Sequence, residues 1–305
     1  MKKKKKFTND VVYQMITNQI IEQMETGQFK WYKGWSGISG ACNYKSKHPY
    51  TGVNAVITNF SRFKSPYWLT LKQCRELKGR VKKEEMTKYT YVIYANTVSI
   101  KEKQPDGSEV DKDIYLLRYY KIYNEEQITG IDFKIQKNEG AGTIKKIEDI
   151  IENMPFKPLI KHGGNRACYN AVTDTIKMPD KKAFHGSNEY YTTLSHELIH
   201  STGHKDRLNR ATLENWSGFG SKVYSFEELI AELGASFLCN KFDIKDKKIE
   251  KNTVAYLQGW IKILKKDNRF IFKASRHAQK ATDYILGTYK GKDDDKEIIK
   301  EVQMA

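Results

Sequence analysis

Residues 196–204 read His-Glu-Leu-Ile-His-Ser-Thr-Gly-His, and this stretch constrains the fold of the chain more than any other. His196 and His200 are four residues apart, so on a helix they lie on one face, one turn from each other. Two imidazoles at that spacing can bind one Zn²⁺, and Glu197 is then placed to act as the general base for the metal-bound water. The motif therefore predicts a helix at the centre of a zinc-dependent hydrolytic site.

The third metal ligand has two candidate positions. A catalytic zinc site needs three protein ligands and one open position. On a continuous helix His204 lies about 12 Å beyond His196, too far to share the metal. If Gly203 ends the helix, Asp206 becomes the third ligand in a metzincin-like arrangement, but that class needs a methionine turn below the metal. After the motif the sequence has a methionine only at Met304. We therefore favour a ligand from another helix.

A second, acidic helix is predicted over residues 226–235. Its small residues, where a neighbouring helix would pack, are Ala231, Gly234 and Ala235. Glu228 and Glu232 are four residues apart and share a face. We assign Glu228 as the third ligand, and Glu232 as the carboxylate that accepts the second ring N–H of a ligand histidine. Glu227 points elsewhere on this helix and is expected to be solvated.

The predicted chemistry is hydrolysis of a peptide bond. Zinc lowers the pKa of its water to about 7, so Glu197 can take the proton and later hand it to the leaving amine. Two short strands, residues 167–170 and 175–178, are predicted just upstream of the motif, and an exposed edge strand can hold an extended peptide. Tyr224, just before the acidic helix, is a candidate for stabilising the oxyanion. The alternative is an ordinary packed tyrosine.

The first part of the chain is basic and rich in aromatic residues. The net charge of the chain is +16, and between Lys30 and Lys88 there are 13 Lys or Arg residues against three Asp or Glu residues. Aromatic faces stack on bases while basic side chains follow the phosphates, which suits single-stranded nucleic acid. The residues that we expect to contact DNA are Lys30, Trp31, Lys33, Trp35, Lys45, Lys47, Arg62, Lys64 and Trp68. The alternative for each ring is the core of a small domain.

The chain carries the features of a cytoplasmic protein. The leading lysines are followed by an amphipathic pattern over residues 7–26, which predicts a helix and not a signal peptide. No apolar stretch approaches the length that spans a membrane, so we expect no membrane association. The cysteines are scattered without a Cys-x-x-Cys pair, which predicts reduced thiols.

The predicted fold class is α+β. A helix followed by a charged turn is expected over residues 72–88, and strands over residues 89–94 and 114–120, joined by a loop at 101–113. These elements form a small basic α+β nucleic-acid-binding domain over residues 1–130. A linker at 131–143 leads to a mainly helical zincin-like metallopeptidase domain with a short antiparallel sheet. That second domain covers residues 144–290 and is followed by a charged tail at 291–305.

Several segments together resemble one protein family, the ArdC-type antirestriction proteins of conjugative plasmids and phages. The segments that carry the resemblance are HPYTGVN at 48–54, YWLT at 67–70 with KQ at 72–73, YNEEQ at 123–127, KMP at 177–179, YYTTLSHE at 190–197, TGH at 202–204 with RL at 207–208, and residues 226–238. They extend over nearly the whole chain, to about residue 286. The combination is far more specific than the metal motif alone.

The resemblance implies a single-stranded-DNA-binding domain joined to a zincin-like metallopeptidase domain, and protection of incoming DNA from host restriction. It carries the metal motif onto His196, Glu197 and His200, whereas Glu228 rests on the spacing as much as on the resemblance. The implied cofactor is Zn²⁺, and the implied partner is single-stranded DNA. A candidate protein substrate is a DNA-bound or restriction-system protein. Two other functions remain open: a DNA-binding shield whose metal site is structural, and an accessory role in plasmid replication or conjugation.

Overall fold

The computed structural model describes residues 8–27, 40–104, 107–134, 144–214, 222–244 and 249–291. Internal packing divides the chain into two units. The first comprises residues 1–137 and 247–273, and the second comprises residues 138–246 and 274–305. Most of the predicted linker and nearly all of the predicted tail lie outside the described residues.

Helices and strands alternate in the first unit, whereas helices predominate in the second. The helices are α1 (Asn9–Glu25), α2 (Gly52–Asn59), α3 (Leu71–Glu76), α4 (Ile144–Glu152), α5 (Ser187–Ser201), α6 (Ala211–Glu214), α7 (Lys222–Lys241), α8 (Ile249–Lys266) and α9 (Phe270–Ile285). The strands are β1 (Cys42–Asn43), β2 (Tyr67–Thr70), β3 (Arg80–Val81), β4 (Thr90–Lys103), β5 (Glu109–Asn124), β6 (Ile128–Thr129), β7 (Leu159–His162), β8 (Cys168–Asn170) and β9 (Thr175–Met178). None of these described helices combines the length and the apolar character needed to span a membrane.

The main sheet of the first unit has the strand order β1-β2-β5-β4. The predicted hairpin is confirmed as the antiparallel pair β4–β5, whose register runs from Thr90 opposite Ile122 to Lys103 opposite Glu109. The strands are longer than predicted, because the segment expected to be a loop at 101–113 is mostly strand. Its described side chains are mainly exposed, so the polar composition reflects a solvated ribbon and not a loop.

Side-chain amides cover part of the outer edge of β4. Gln19 of α1 donates to the carbonyl of Tyr91 at 3.4 Å and accepts from its N–H at 2.9 Å. Asn54 of α2 makes the same two bonds with Ile93, at 2.7 and 2.9 Å. These amides replace a further strand at these two residues and anchor both helices to the sheet, which protects an edge that would otherwise be open to pairing.

Residues 247–273 pack with the first unit, although we predicted them within the 144–290 domain. Thr17 of α1 donates a hydrogen bond to the carbonyl of Asn268 at 2.7 Å, and Asp10 lies 2.9 Å from the guanidinium of Arg269. The ring of Tyr13 also lies 4.7 Å from that of Phe272, so a segment far away in sequence helps to cover the apolar face of α1. Local periodicity does not contain that information, because it identifies an apolar face but not its partner.

The second unit contains a three-stranded sheet with the order β7-β9-β8. Strand β8 pairs with β9 in the antiparallel direction, as the two predicted strands would, but β7 pairs with β9 in parallel. The sheet is therefore mixed and not purely antiparallel. The burial pattern of β7 explains why it was missed, since its residues are exposed or only partly buried and do not alternate.

Helices α5 and α7 approach each other closely at Gly234. A Cβ atom at that position would lie 2.6 Å from Cδ1 of Ile199, a fully buried residue of α5. We therefore expect Gly234→Ala to lower the free energy of unfolding by about 1–3 kcal/mol through overpacking. Gly259→Ala in α8 is the matched control, because nothing lies within 4 Å of its added Cβ. The control should be neutral or stabilising by about 0.5–1 kcal/mol in denaturant titrations. Equal effects of the two changes would refute the packing argument.

Candidate metal centre

Helices α5 and α7 bring together two histidines and one glutamate. Nε2 of His200 lies 3.1 Å from Nε2 of His196. The carboxylate of Glu228 lies 3.6 Å from Nε2 of His196 and 3.5 Å from Nε2 of His200. Among the described residues, each of these three offers one donor atom, and the three donor atoms all lie within 4.8 Å of one another.

This spacing fits a single divalent cation. Ligand bonds of about 2.0–2.2 Å in a tetrahedral site place the donor atoms roughly 3.4 Å apart. The three measured separations lie on either side of that value, so closure around an ion needs only small side-chain shifts. Imidazole nitrogen with carboxylate oxygen is a donor set that suits zinc and its neighbours among the first-row metals.

Asp206, the alternative third ligand, is not part of this described group. Helix α5 ends at Ser201, and the turn that follows places Asp206 beside His204, with its carboxylate 3.5 Å from Nδ1 of that ring. The side chain of Asp206 is 64% exposed. The exposed carboxylate of Asp206 therefore lies beside the largely buried ring of His204.

Glu197 and Tyr224 lie on the two helices that carry the three donors. Glu197 follows His196 on α5 and is buried. Tyr224 lies on α7 one turn before Glu228, so the two share a face of the helix, and it is partly buried. The roles of general base and of oxyanion stabiliser stay predictions.

Glu232 lies one turn beyond Glu228 on α7. Its Oε1 lies 3.8 Å from Nδ1 of His196, the ring nitrogen opposite the one that faces Glu228. Burial raises the pKa of Glu232, and the neighbouring imidazole opposes that shift. The separation exceeds a hydrogen bond, so the predicted contact requires the two groups to approach each other.

Glu227 is the carboxylate that faces the second ligand histidine, and our prediction that it is solvated is wrong. Glu227 is completely buried, and its Oε1 lies 3.3 Å from Nδ1 of His200. A signal was present in the sequence. Glu227 is four residues before Ala231 and seven before Gly234, so it lies on the stripe that packs against a neighbouring helix.

Charges and hydrogen bonds around Glu227 shift the pKa values of Glu227 and of His200. Burial opposes the ionised form of Glu227, but the positive charge of Arg210 and the hydrogen bond with His200 outweigh it and lower the pKa to about 2. Burial likewise opposes protonation of His200, but hydrogen bonds with Glu227 and Glu228 raise its pKa to about 10. The site is therefore strongly attractive to positive charge.

His277 of α9 lies near this charged group, with its ring 6.1 Å from that of Phe226. Burial and the positive charge of Arg210 lower the pKa of His277 to about 4, with Glu227 opposing and with Lys280 and Arg276 adding to the decrease. The unfolded imidazole takes up its proton at a higher pH than the folded one. The contribution of His277 to stability is thus complete above about pH 6.5 and is lost as the pH falls towards 4.

We therefore expect the wild type to lose more stability than His277→Gln on acidification. Between about pH 7.5 and pH 5, the difference in free energy of unfolding should change by roughly 2 kcal/mol. Urea titrations of both proteins at the two pH values measure it, and every other titrating group cancels in the comparison. Parallel losses in the two proteins would contradict the neutral state of this partly buried histidine.

The residues expected to contact DNA fall into three groups. Lys30, Trp31, Lys33 and Trp35 lie outside the described residues. Trp68 must be withdrawn, because it is fully buried, with its ring 5.4 Å from that of Phe63 in a core cluster. The indole is enclosed in this cluster and has no exposed surface, so it presents no face to a base.

The remaining basic residues, Lys45, Lys47, Arg62 and Lys64, are exposed. The ammonium of Lys47 lies 3.7 Å from the centre of the Tyr44 ring. Lys45 and Arg62 each contact a glutamate, and the backbone N–H of Lys64 donates to a third. Their contact with DNA stays a prediction.

Comparison with known protein families identifies both halves of the chain. Residues 10–123 match the N-terminal domain of the anti-restriction factor ArdC, and residues 145–277 match a zincin-like metallopeptidase. The second match covers the helices that carry the two histidines and Glu228.

Curated relatives are longer or of similar length. A DNA primase TraC from Escherichia coli is 30% identical over 291 residues, which is 90% of this chain and 27% of that protein. The chain thus spans about a quarter of that relative. The uncharacterized protein y4eC from Sinorhizobium fredii is 28% identical over 290 residues, covering 90% of this chain and 91% of that one.

Two solved structures share the fold over nearly their whole length. The metal-free crystal structure of the antirestriction protein ArdC from plasmid R388 is 32% identical, with a TM-score of 0.71, and the match covers 91% of this chain and 97% of that one. The Mn(II)-bound structure of the same protein gives 32% identity and a TM-score of 0.70, over 92% and 98% of the two chains. The predicted α+β class is confirmed, and the chain belongs to the ArdC family of antirestriction proteins, with the N-terminal ArdC domain followed by a zincin-like domain.

Proposed function

We propose that this chain protects the DNA of a mobile element from host restriction by binding single-stranded DNA and by hydrolysing peptide bonds at the metal centre. The convergence of His196, His200 and Glu228 on two closely packed helices, with Glu197 beside them, carries the proposal. The family relation supports it, since the N-terminal ArdC domain precedes the zincin-like domain here.

Zn²⁺ is the cofactor that we propose, held by His196, His200 and Glu228. Two imidazoles and one carboxylate are the donors of many hydrolytic zinc sites. When bound, the ion supplies Lewis-acid polarisation of a carbonyl and lowers the pKa of a water molecule to about 7. The R388 structure solved with Mn(II) supports a divalent cation and leaves the choice of metal to experiment.

In the proposed reaction, each residue near the metal has a separate role. Glu197 accepts the proton of the attacking water and returns it to the leaving amine. Tyr224 donates a hydrogen bond to the oxygen on which negative charge develops, as one turn of α7 separates it from Glu228. Strand β8 lies at the edge of its sheet and packs against α5, so its free edge can hold an extended peptide.

Mass spectrometry of the zinc-loaded protein, with and without single-stranded DNA, tests this proposal. The sample contains a DNA-bound protein as candidate substrate and is compared with a chelator-treated sample. We expect cuts, in the chain itself or in the substrate, that DNA stimulates and the chelator removes. Binding of DNA without any cut would contradict hydrolysis. It would favour a shield whose metal site is structural.

The DNA-binding half of the proposal predicts tighter binding of single strands than of duplex, with a steep dependence on salt. Replacing Lys47 with alanine should reduce the slope of log affinity against log salt by roughly one. Lys72→Ala is the control, because Lys72 is equally charged and 87% exposed but lies outside the predicted set. Fluorescence anisotropy over a salt series measures both. A flat slope with equal affinity for the two DNA forms would refute this half.

The TraC relatives favour a second function, an accessory role in plasmid replication or conjugation, because primase names accompany the similarity. Under this alternative, a replication or transfer enzyme should bind the purified chain. The Glu197→Gln variant should bind that enzyme as well as the wild type does. A pull-down from cells that carry the element, recovering no such enzyme, would count against it.

A further inference from the structure

A buried ion pair lies directly behind His200. Arg210 is 4% exposed and Glu227 is completely buried. A charged pair in the interior costs desolvation free energy, and it is retained only where its geometry and additional hydrogen bonds offset that cost. Further hydrogen bonds that offset this cost are therefore expected around Arg210 and Glu227.

Arg210 binds both helices of the metal centre. Its Nη2 lies 2.6 Å from Oε1 of Glu227 and its Nε 3.2 Å from Oε2, a two-point contact with α7. The same guanidinium donates to the carbonyl of Ile199 at 2.8 Å and to Oγ1 of Thr202 at 2.6 Å. One side chain thus fastens the end of α5 to the carboxylate on α7.

The neighbouring residues are adapted to this guanidinium. A Cβ atom on Gly203 would lie 2.9 Å from Nη2 of Arg210, so glycine leaves the space that the side chain occupies. Thr212 donates to Oε2 of Glu227 at 2.5 Å. Both carboxylate oxygens of Glu227 are therefore held in place, and its orientation is fixed.

The fixed carboxylate faces the outer nitrogen of a metal ligand. Oε1 of Glu227 lies 3.3 Å from Nδ1 of His200, whereas Nε2 of the same ring faces His196. A carboxylate that accepts a hydrogen bond from the N–H at Nδ1 selects the tautomer whose Nε2 lone pair is free for a metal. It also prevents rotation of the ring.

We propose that Arg210 is a positioning residue of the metal centre, which sets the affinity for the divalent cation by holding Glu227 against His200. This inference rests on the metal site of the proposed function but not on peptide hydrolysis. Arg210 touches neither the ion nor a substrate in this scheme. It acts through Glu227 and through its bonds to the end of α5, which include one to the backbone carbonyl of His200 at 3.3 Å.

Arg207 offers a matched control for the test. It lies in the same turn after α5, and its side chain is 1% exposed. It donates to the carbonyl of Ser201 at 2.7 Å and pairs with Asp174, whereas Arg210 pairs with Glu227. Arg207→Lys and Arg210→Lys each remove several hydrogen bonds of a guanidinium that is itself buried. The bonds of Arg207 are partly buried or exposed and those of Arg210 are buried, and only the second change disturbs the carboxylate behind His200.

The experiment measures the dissociation constant for Zn²⁺ by competition with a chromophoric chelator, together with the visible absorption spectrum of the Co²⁺-loaded protein. We expect Arg210→Lys to weaken Zn²⁺ binding about 10–100-fold and to shift the Co²⁺ bands, as removal of such outer hydrogen bonds does. Arg207→Lys should stay within about 3-fold of the wild type on that basis. Glu227→Gln, which keeps the size of the side chain, should match Arg210→Lys and carries the test if the arginine variant fails to fold.

Three results would overturn the inference. The first is wild-type affinity and spectrum in Arg210→Lys and Glu227→Gln. The second is an equal loss of affinity in Arg207→Lys, which would show a general structural effect. The third is a wild type that binds no Zn²⁺, which would refute the metal site itself. Loss of peptide hydrolysis plays no part in the readout, so failure of the proposed reaction is distinguishable from failure of this inference.

Discussion

Replacing Glu197 with glutamine should reduce peptide-bond cleavage roughly 10²–10⁴-fold, the usual worth of a general base, while the protein still binds its metal. Glu197 is buried on α5 beside His196, but it is not among the three clustered donors. Glutamine has nearly the same shape and cannot accept the proton of the attacking water. Counting the DNA-stimulated cuts by mass spectrometry, with the zinc content determined on the same samples, measures both consequences.

Glu189→Gln is the control for this prediction, because Glu189 lies on the first turn of the same helix and its carboxylate accepts from the N–H of His185. The control should cut at the wild-type rate. Cleavage that persists in Glu197→Gln would show that this residue is not the base. Loss of cleavage together with loss of zinc would show instead that Glu197 supports the metal.

Replacing Glu228 with glutamine should weaken zinc binding at least about 100-fold, beyond the roughly 10–100-fold effect of losing an outer hydrogen bond. The carboxylate of Glu228 lies within 3.6 Å of both ligand histidines. An amide oxygen lacks the negative charge that a dication requires from its third ligand in this site. Chelator competition gives the dissociation constants directly.

Asp206→Asn is the matching change at the alternative ligand position. Its carboxylate is mostly exposed and lies beside His204, so zinc affinity should stay within experimental error of the wild type. The reverse pattern, with Asp206→Asn losing the metal and Glu228→Gln retaining it, would restore the metzincin-like arrangement. Loss of metal in both variants would require the turn after α5 to rearrange around the ion.

The parts of the site that follow from one helix could be predicted from the sequence. The four-residue spacing of His196 and His200 and that of Glu228 and Glu232 each define a face, and the structure places these faces opposite each other. Small residues at Ala231 and Gly234 marked where the helices approach. Helical periodicity contains this information because it is local.

The parts that depend on tertiary contacts could not be predicted in the same way. The helical stripe indicates that Glu227 is buried, but it gives no sign of the partner that neutralises it, Arg210, which is 17 positions away in sequence. Trp68 is a core residue because side chains that are distant in sequence, such as Val92 and Ile122, enclose it, whereas composition alone made it resemble a stacking platform. The location of residues 247–273 depends on the α1 face that they cover.

Anomalous diffraction at the zinc edge, from crystals of the zinc-loaded wild type, tests the central claim most directly. The account predicts one strong peak per chain, about 2.0–2.2 Å from Nε2 of His196, Nε2 of His200 and the carboxylate of Glu228. A peak bound by Asp206 or His204 in place of Glu228, or no peak between α5 and α7, would contradict it.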